Sequence, residues 1–170
     1  MIKFALFAAL LATPQIAAAQ TQPCLTRQEL SNVFMLAAPA LIEAAAKKCA
    51  TTLPASAFLR TGGKQLAERL RREGGVDAGA LTATFAKFSG KEMPRGISAE
   101  TLNSLVRDVV AAEFANDIKP QDCGKIDDIT GALAPLPARN LGTLMTALVE
   151  LGTGGKQAGP FRVCPAPSQP

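Results

Sequence analysis

The residues with the clearest chemistry in this chain are its four cysteines, Cys24, Cys49, Cys123 and Cys164. They are separated by 24, 73 and 40 residues with no C-x-x-C pair. That spacing argues against a redox-active dithiol and against a zinc knuckle, both of which need closely spaced thiols. An even count in an exported chain reads instead as two structural disulfides. Helix geometry weights the pairing. If residues 27 to 48 form one helix, its ends lie about 30 Å apart, whereas bridged Cα atoms lie within about 7 Å. Cys24 and Cys49 should therefore not bond to each other unless Pro39 folds the helix back sharply. Each should tie its own end of the helix to the C-terminal half, with Cys49 to Cys123 and Cys24 to Cys164 the preferred order of the two.

Other catalytic equipment is sparse. The sequence has no His, Tyr or Trp, which removes the usual neutral-pH general base, the familiar Ser and Cys triads, and most catalytic zinc sites. A pair of carboxylates can still hydrolyse a glycosidic bond without histidine. Glu113 is the candidate for such a role, because it lies beside the apolar face of a predicted helix and half-burial would raise its pKa. Asp122, Asp127 and Asp128 cluster around Cys123, but DCGKIDD lacks the alternating oxygen register of a calcium loop. Asp122 reads as a helix cap, and the other two as solvated acids of a first turn. No metal and no cofactor is expected.

One local pattern occurs twice: Thr61-Gly62-Gly63-Lys64-Gln65 and Thr153-Gly154-Gly155-Lys156-Gln157. It is not a P-loop, lacking the G-x-x-x-x-G-K-[ST] spacing. Paired glycines can expose successive backbone donors to an anion, with Lys64 or Lys156 adding charge; the plainer reading is a helix stop and restart. Charge is also segregated. From Arg60 to Arg95 there are eight basic and four acidic residues, and from Gly96 to Asp128 three basic and seven acidic. Arg69, Arg71 and Arg72, with Lys64 and Lys156, are thus candidate binding residues for an acidic partner or an anionic envelope polymer. Mutual neutralisation across the fold is the alternative.

These residues need elements to hold them. Residues 1–19 carry Lys3, an apolar run from Phe4 to Ala12, and Ala17-Ala18-Ala19, the form of a cleaved secretory signal. The leader's apolar run is too short to span a membrane, and no later stretch of 18 apolar residues follows. Removing Lys3 lowers the formal net charge of +4 by one, too weak a bias to imply nucleic acid. Residues 20–151 should form one helical domain, and 152–170 an irregular Pro/Gly-rich tail held by Cys164.

Within that domain the hydrophobic period is helical almost throughout. Thr26 and Glu29 have the form of a capping box for a first helix that Pro39 should kink. Short helical structure is expected over 56–59 and an amphipathic helix over 64–73, with Leu66 and Leu70 inward. A helix capped by Asp77 should bury Leu81, Phe85 and Phe88, followed by a loop over 91–97. Ser98 should cap the most regular helix, where Leu102, Leu105, Val106, Val109, Val110, Phe114 and Ile118 trace a wide apolar face and give it the central place in the fold. Asp122 should cap a shorter helix to about Leu133. Pro137 should introduce the last, with Leu141, Leu144, Met145, Leu148 and Leu151 facing one way.

The expectation is an all-α domain of five to seven helices stapled by two disulfides. It is read as a soluble periplasmic protein, monomer or weak dimer, that is not catalytic and binds a protein partner or a cell-envelope component. It is expected neither to bind nucleic acid nor to insert in a membrane. A small carboxylate-dependent hydrolase of envelope glycans and a carrier of apolar ligands are the alternatives.

Overall fold

The computed structural model describes residues 24–75, 77–89, 98–153 and 162–164. The leader over 1–19, the loop over 91–97, Lys156 and most of the tail lie outside the described residues, as does the side chain of Phe88.

A two-residue strand, β1 (Cys24–Leu25), leads into α1 (Arg27–Cys49). The capping box forms: the Glu29 backbone N–H donates to Thr26 Oγ1 at 3.2 Å, and the Thr26 N–H donates to Glu29 Oε2 at 2.7 Å. The helix runs on through the buried Pro39. Then come α2 (Phe58–Thr61), α3 (Gly63–Glu73), α4 (Ala78–Ser89) and α5 (Ala99–Asp117). A 3-10 turn (Pro120–Asp122) precedes α6 (Cys123–Leu133) and α7 (Ala138–Thr153), and a second short strand, β2 (Arg162–Val163), pairs in parallel with β1. Among the described residues the fold is all-α with seven helices, and both disulfides pair as preferred: Cys24 with Cys164 and Cys49 with Cys123, at Cα separations of 4.9 and 5.5 Å.

The central element is α1, not α5. It touches each of the other six helices, and residues along its length enter three buried clusters. At its start Leu30 packs with Leu25 and Val163. Midway Met35 packs with Leu66, Leu70, Ala138 and Leu141. At its end Ala45 and Cys49 pack with Leu53, Leu59, Ile118 and Cys123. Gly142 permits the close approach of α7, since a Cβ there would collide with Ser31 Oγ and press on Met35. By length and composition α1 could also cross a membrane. Here that apolar length serves as the core, with both ends bonded covalently to the rest of the domain.

Two further expectations change. Asp122 makes no side-chain cap on α6; its Oδ2 accepts instead from the Lys119 N–H at 3.3 Å, because the 3-10 turn takes up the entry to the helix. On α7 the inward side is narrower than the leucine spacing implied. Leu141 is buried, whereas Leu148 and Leu151 are exposed. The end of α7 meets the start of α1 through other residues: Glu150 pairs with Arg27 at 2.6 Å, and Val149 packs on the cluster around Leu30.

Candidate functional site

Each expected site residue has a definite place. Arg69, on the α3 face toward α6, is directed inward: its Nη2 donates to the carbonyl oxygens of Ala134 and Leu136, the latter at 3.2 Å. It thus clamps the connector between α6 and α7. Its Nε is buried without a hydrogen-bond partner. Arg71 pairs with Glu43 on α1 at 2.5 Å. Lys64 lies 3.9 Å from Glu68 one turn along α3, both largely exposed, a geometry that contributes little in water. Arg72 is exposed and has no ion pair among the described residues. The arginines therefore do not present one uniform basic face.

Glu113 is exposed on α5 and lines none of the clefts described below. Among the described residues no group of three or more His, Cys, Asp or Glu is placed to hold a metal ion. Asp127 is the residue the sequence reading misjudged most. It is not a solvated first-turn acid of α6: Oδ2 and Oδ1 accept from the N–H groups of Phe58 and Leu59 at 3.1 and 2.6 Å. It caps α2 from another helix, where Ala57 offers no capping side chain. The partners are nearly seventy residues away in sequence, so periodicity could not reveal them.

Among the described residues, three of the surfaces that could engage a ligand stand out. The first is an apolar cleft of about 150 Å³ between α1, α3, α6 and α7, with Phe34, Met35, Leu66, Leu133 and Met145 in its walls. Thr130 is the one lining residue with a polar side chain, and its hydroxyl is already donated to the Ile126 carbonyl at 2.6 Å. The second is a pocket of about 370 Å³ lined by Phe58, Gly62, Gln65, Leu66, Arg69, Arg72 and Ala134.

The third surface is α5. Leu102 is the buried residue within it, while Leu105, Val109 and Val110 are 58%, 53% and 37% exposed. The apolar residues are spread too widely around the helix to be covered together. Phe114 packs on the cluster that holds Ala45 and Cys49 of α1, whereas Leu105 and Val109, four residues apart, stand side by side in solvent. Asp108, Glu113 and Asp117 are exposed along the same helix. Next to it runs a groove of about 320 Å³ whose walls include Met35, Pro39, Leu70, Arg71 and Arg107.

No protein-family model matches this chain, and no curated protein or solved structure is significantly similar to it.

Proposed function

We propose that this chain is a non-catalytic periplasmic protein that works by binding a protein partner, and that α5 is the face it presents. The observation that carries this reading is the pair Leu105 and Val109, one turn apart and both more than half exposed on α5. Isolated exposed apolar residues are ordinary on a protein surface, but large apolar side chains exposed next to one another on one helix are the form of a contact surface. The exposed Asp108 and Glu113 of the same helix supply a charged edge, in keeping with interfaces that combine an apolar centre and a charged edge. Export is supported by the signal-like leader and by the pairing of all four cysteines. The hydrolase alternative has no support from the exposed position of Glu113. The carrier alternative has little: at about 150 Å³ the apolar cleft falls below the roughly 300 Å³ at which small-molecule pockets begin, and it reads as a packing gap bordered by flexible methionines.

A photo-reactive phenylalanine analogue placed at Val109, and separately at the exposed Lys125 on α6, tests the reading in the cells that make the protein. Irradiation should give a discrete adduct from position 109 and none from 125. No adduct, or the same adduct from both positions, overturns it.

A further inference from the structure

We propose a second, independent binding site: the pocket between α2, α3 and the α6–α7 connector takes a carboxylate attached to an apolar group. Its cationic groups lie three residues apart on α3. Arg69 and Arg72 both line the pocket, and Gln65, four residues before Arg69, adds an amide on the same helix face. Two like charges at this spacing repel by a few tenths of a kcal/mol in an isolated helix. The Ala134 and Leu136 carbonyl oxygens accept from Arg69, but among the described residues no carboxylate in the pocket meets Arg72. None of its lining residues is acidic, Glu68 lies toward Lys64, and Asp127 is taken up by the α2 backbone. Neither arginine has an ion pair among the described residues.

The pocket is also held in shape before any ligand arrives. Arg69 is anchored by Nη2 on the two connector carbonyls, which fixes the plane of its guanidinium. Anchoring of this kind lowers the entropic cost of a contact with the remaining Arg69 Nη1, and the guanidinium fork of Arg72 matches the two oxygens of a carboxylate. Phe58 forms the apolar wall with Leu66. Its position is fixed by the two Asp127 hydrogen bonds at the start of α2 and by two glycines against its side chain. A Cβ on Gly62 would lie 2.6 Å from the Phe58 ring, and one on Gly131 would lie 3.4 Å from it. The first Thr-Gly-Gly-Lys-Gln segment thereby acquires specific roles: Gly62 leaves room for the ring, and Gln65 faces the pocket. A ring and a leucine beside two guanidinium groups select an anion with an apolar neighbour over a bare, fully hydrated one. A free organic acid and the C-terminal carboxylate of a peptide share that chemistry.

The test follows the arginine side-chain N–H resonances of the oxidised full-length mature protein during titration at low salt. Four probes are used: benzoate for a free acid, N-acetylphenylalanine for a peptide terminus, N-acetylphenylalaninamide as its neutral counterpart, and inorganic phosphate. The carboxylates should produce saturable shifts at Arg69 and Arg72, and phosphate should bind at least tenfold more weakly. The amide should produce no saturable shift. Arg72→Gln and Gln65→Ala alter exposed side chains and should leave the fold intact; the first should weaken carboxylate binding at least tenfold and the second severalfold. Whichever carboxylate binds more tightly identifies the source. The proposal is overturned by shifts that do not saturate, by equal binding of the amide, by phosphate binding as tight as the carboxylates, or by an Arg72→Gln protein that binds as the parent does.

Discussion

The two helices α3 and α5 both pack on α1, yet they treat their apolar residues in opposite ways. In α3 charged and polar residues dominate, and its few apolar side chains, Leu66, Ala67 and Leu70, are all buried. In α5 apolar residues are more numerous, but Leu102 alone is buried within it, and Leu105 and Val109 stand more than half exposed. Apolar content therefore does not determine burial. Concentration on one narrow stripe does, because a helix can turn only one side to a neighbour. In α3 the stripe and the contact coincide. In α5 the apolar residues span more of the circumference than α1 and α4 can cover, and the remainder faces water.

The largest expected effect tests that contrast directly. Leu70, fully buried among Met35, Leu66 and Leu141, should cost about 2 to 5 kcal/mol when changed to Ala, through lost burial and the cavity left behind. Leu105→Ala should change stability by about 0.5 kcal/mol or less, as surface substitutions do. Urea unfolding of the two variants measures both. A cost at Leu105 close to that at Leu70 would mean that the α5 strip is covered in the isolated protein, and the contrast would collapse.

A smaller effect concerns how α5 is anchored. Its end is the well-held part, since Phe114 and Ile118 pack on the cluster around Cys49 and Cys123. Removing that disulfide by Cys49→Ala with Cys123→Ala should destabilise the domain by about 2 to 4 kcal/mol and lower its melting temperature by roughly 2 to 4 °C per kcal/mol. Amide exchange should then accelerate more near the end of α5 than in α3, whose contacts lie in the neighbouring cluster around Leu70. Equal acceleration in the two helices would show that they open as one unit.

The smallest effect involves α4, which packs against both α1 and α5. Lys87 on α4 reaches Glu29 at the start of α1, at 2.9 Å. Burial alone would raise the Glu29 carboxyl. The Thr26 backbone N–H, the Lys87 ammonium and the Thr26 hydroxyl together outweigh it and hold the group below its ordinary 4.5. Because the folded value is the lower one, this carboxylate stabilises the fold above about pH 4.5, and the contribution is lost as pH falls through the folded value. Glu29→Gln should therefore flatten the acid side of the stability profile slightly and leave its slope above pH 6 unchanged. An acid limb identical to that of the parent protein would show that the pair contributes nothing, as many solvent-accessible pairs do.

Much of the architecture was legible in the residues. The capping box of Thr26 and Glu29, the Asp77 and Ser98 caps and the inward leucines of α3 are local patterns, and all appear where the spacing placed them. That Cys24 and Cys49 do not bond to each other was legible for a different reason, since a 23-residue helix holds them too far apart; the choice between the two remaining orders had no such geometric ground. The candidate sites were far less legible. Arg69, Arg71 and Arg72 are neighbours in sequence but point to a carbonyl pair, to Glu43 and to an open pocket respectively. Asp127 looked like a surface acid because the N–H groups it caps belong to a helix far away in the chain.

The sequence by itself determined the helices, the caps at Thr26, Asp77 and Ser98, the oxidised cysteines and the lack of histidine chemistry, all of which depend on residue type and on spacings within a turn or two. Only the tertiary structure decided that α1 is the core, that the apolar strip of α5 is left in solvent, and that Gly62, Gln65, Phe58, Arg69 and Arg72 surround one pocket. Periodicity says which side of a helix is apolar. It does not say how many neighbours arrive to cover that side, because this depends on contacts between residues tens of positions apart.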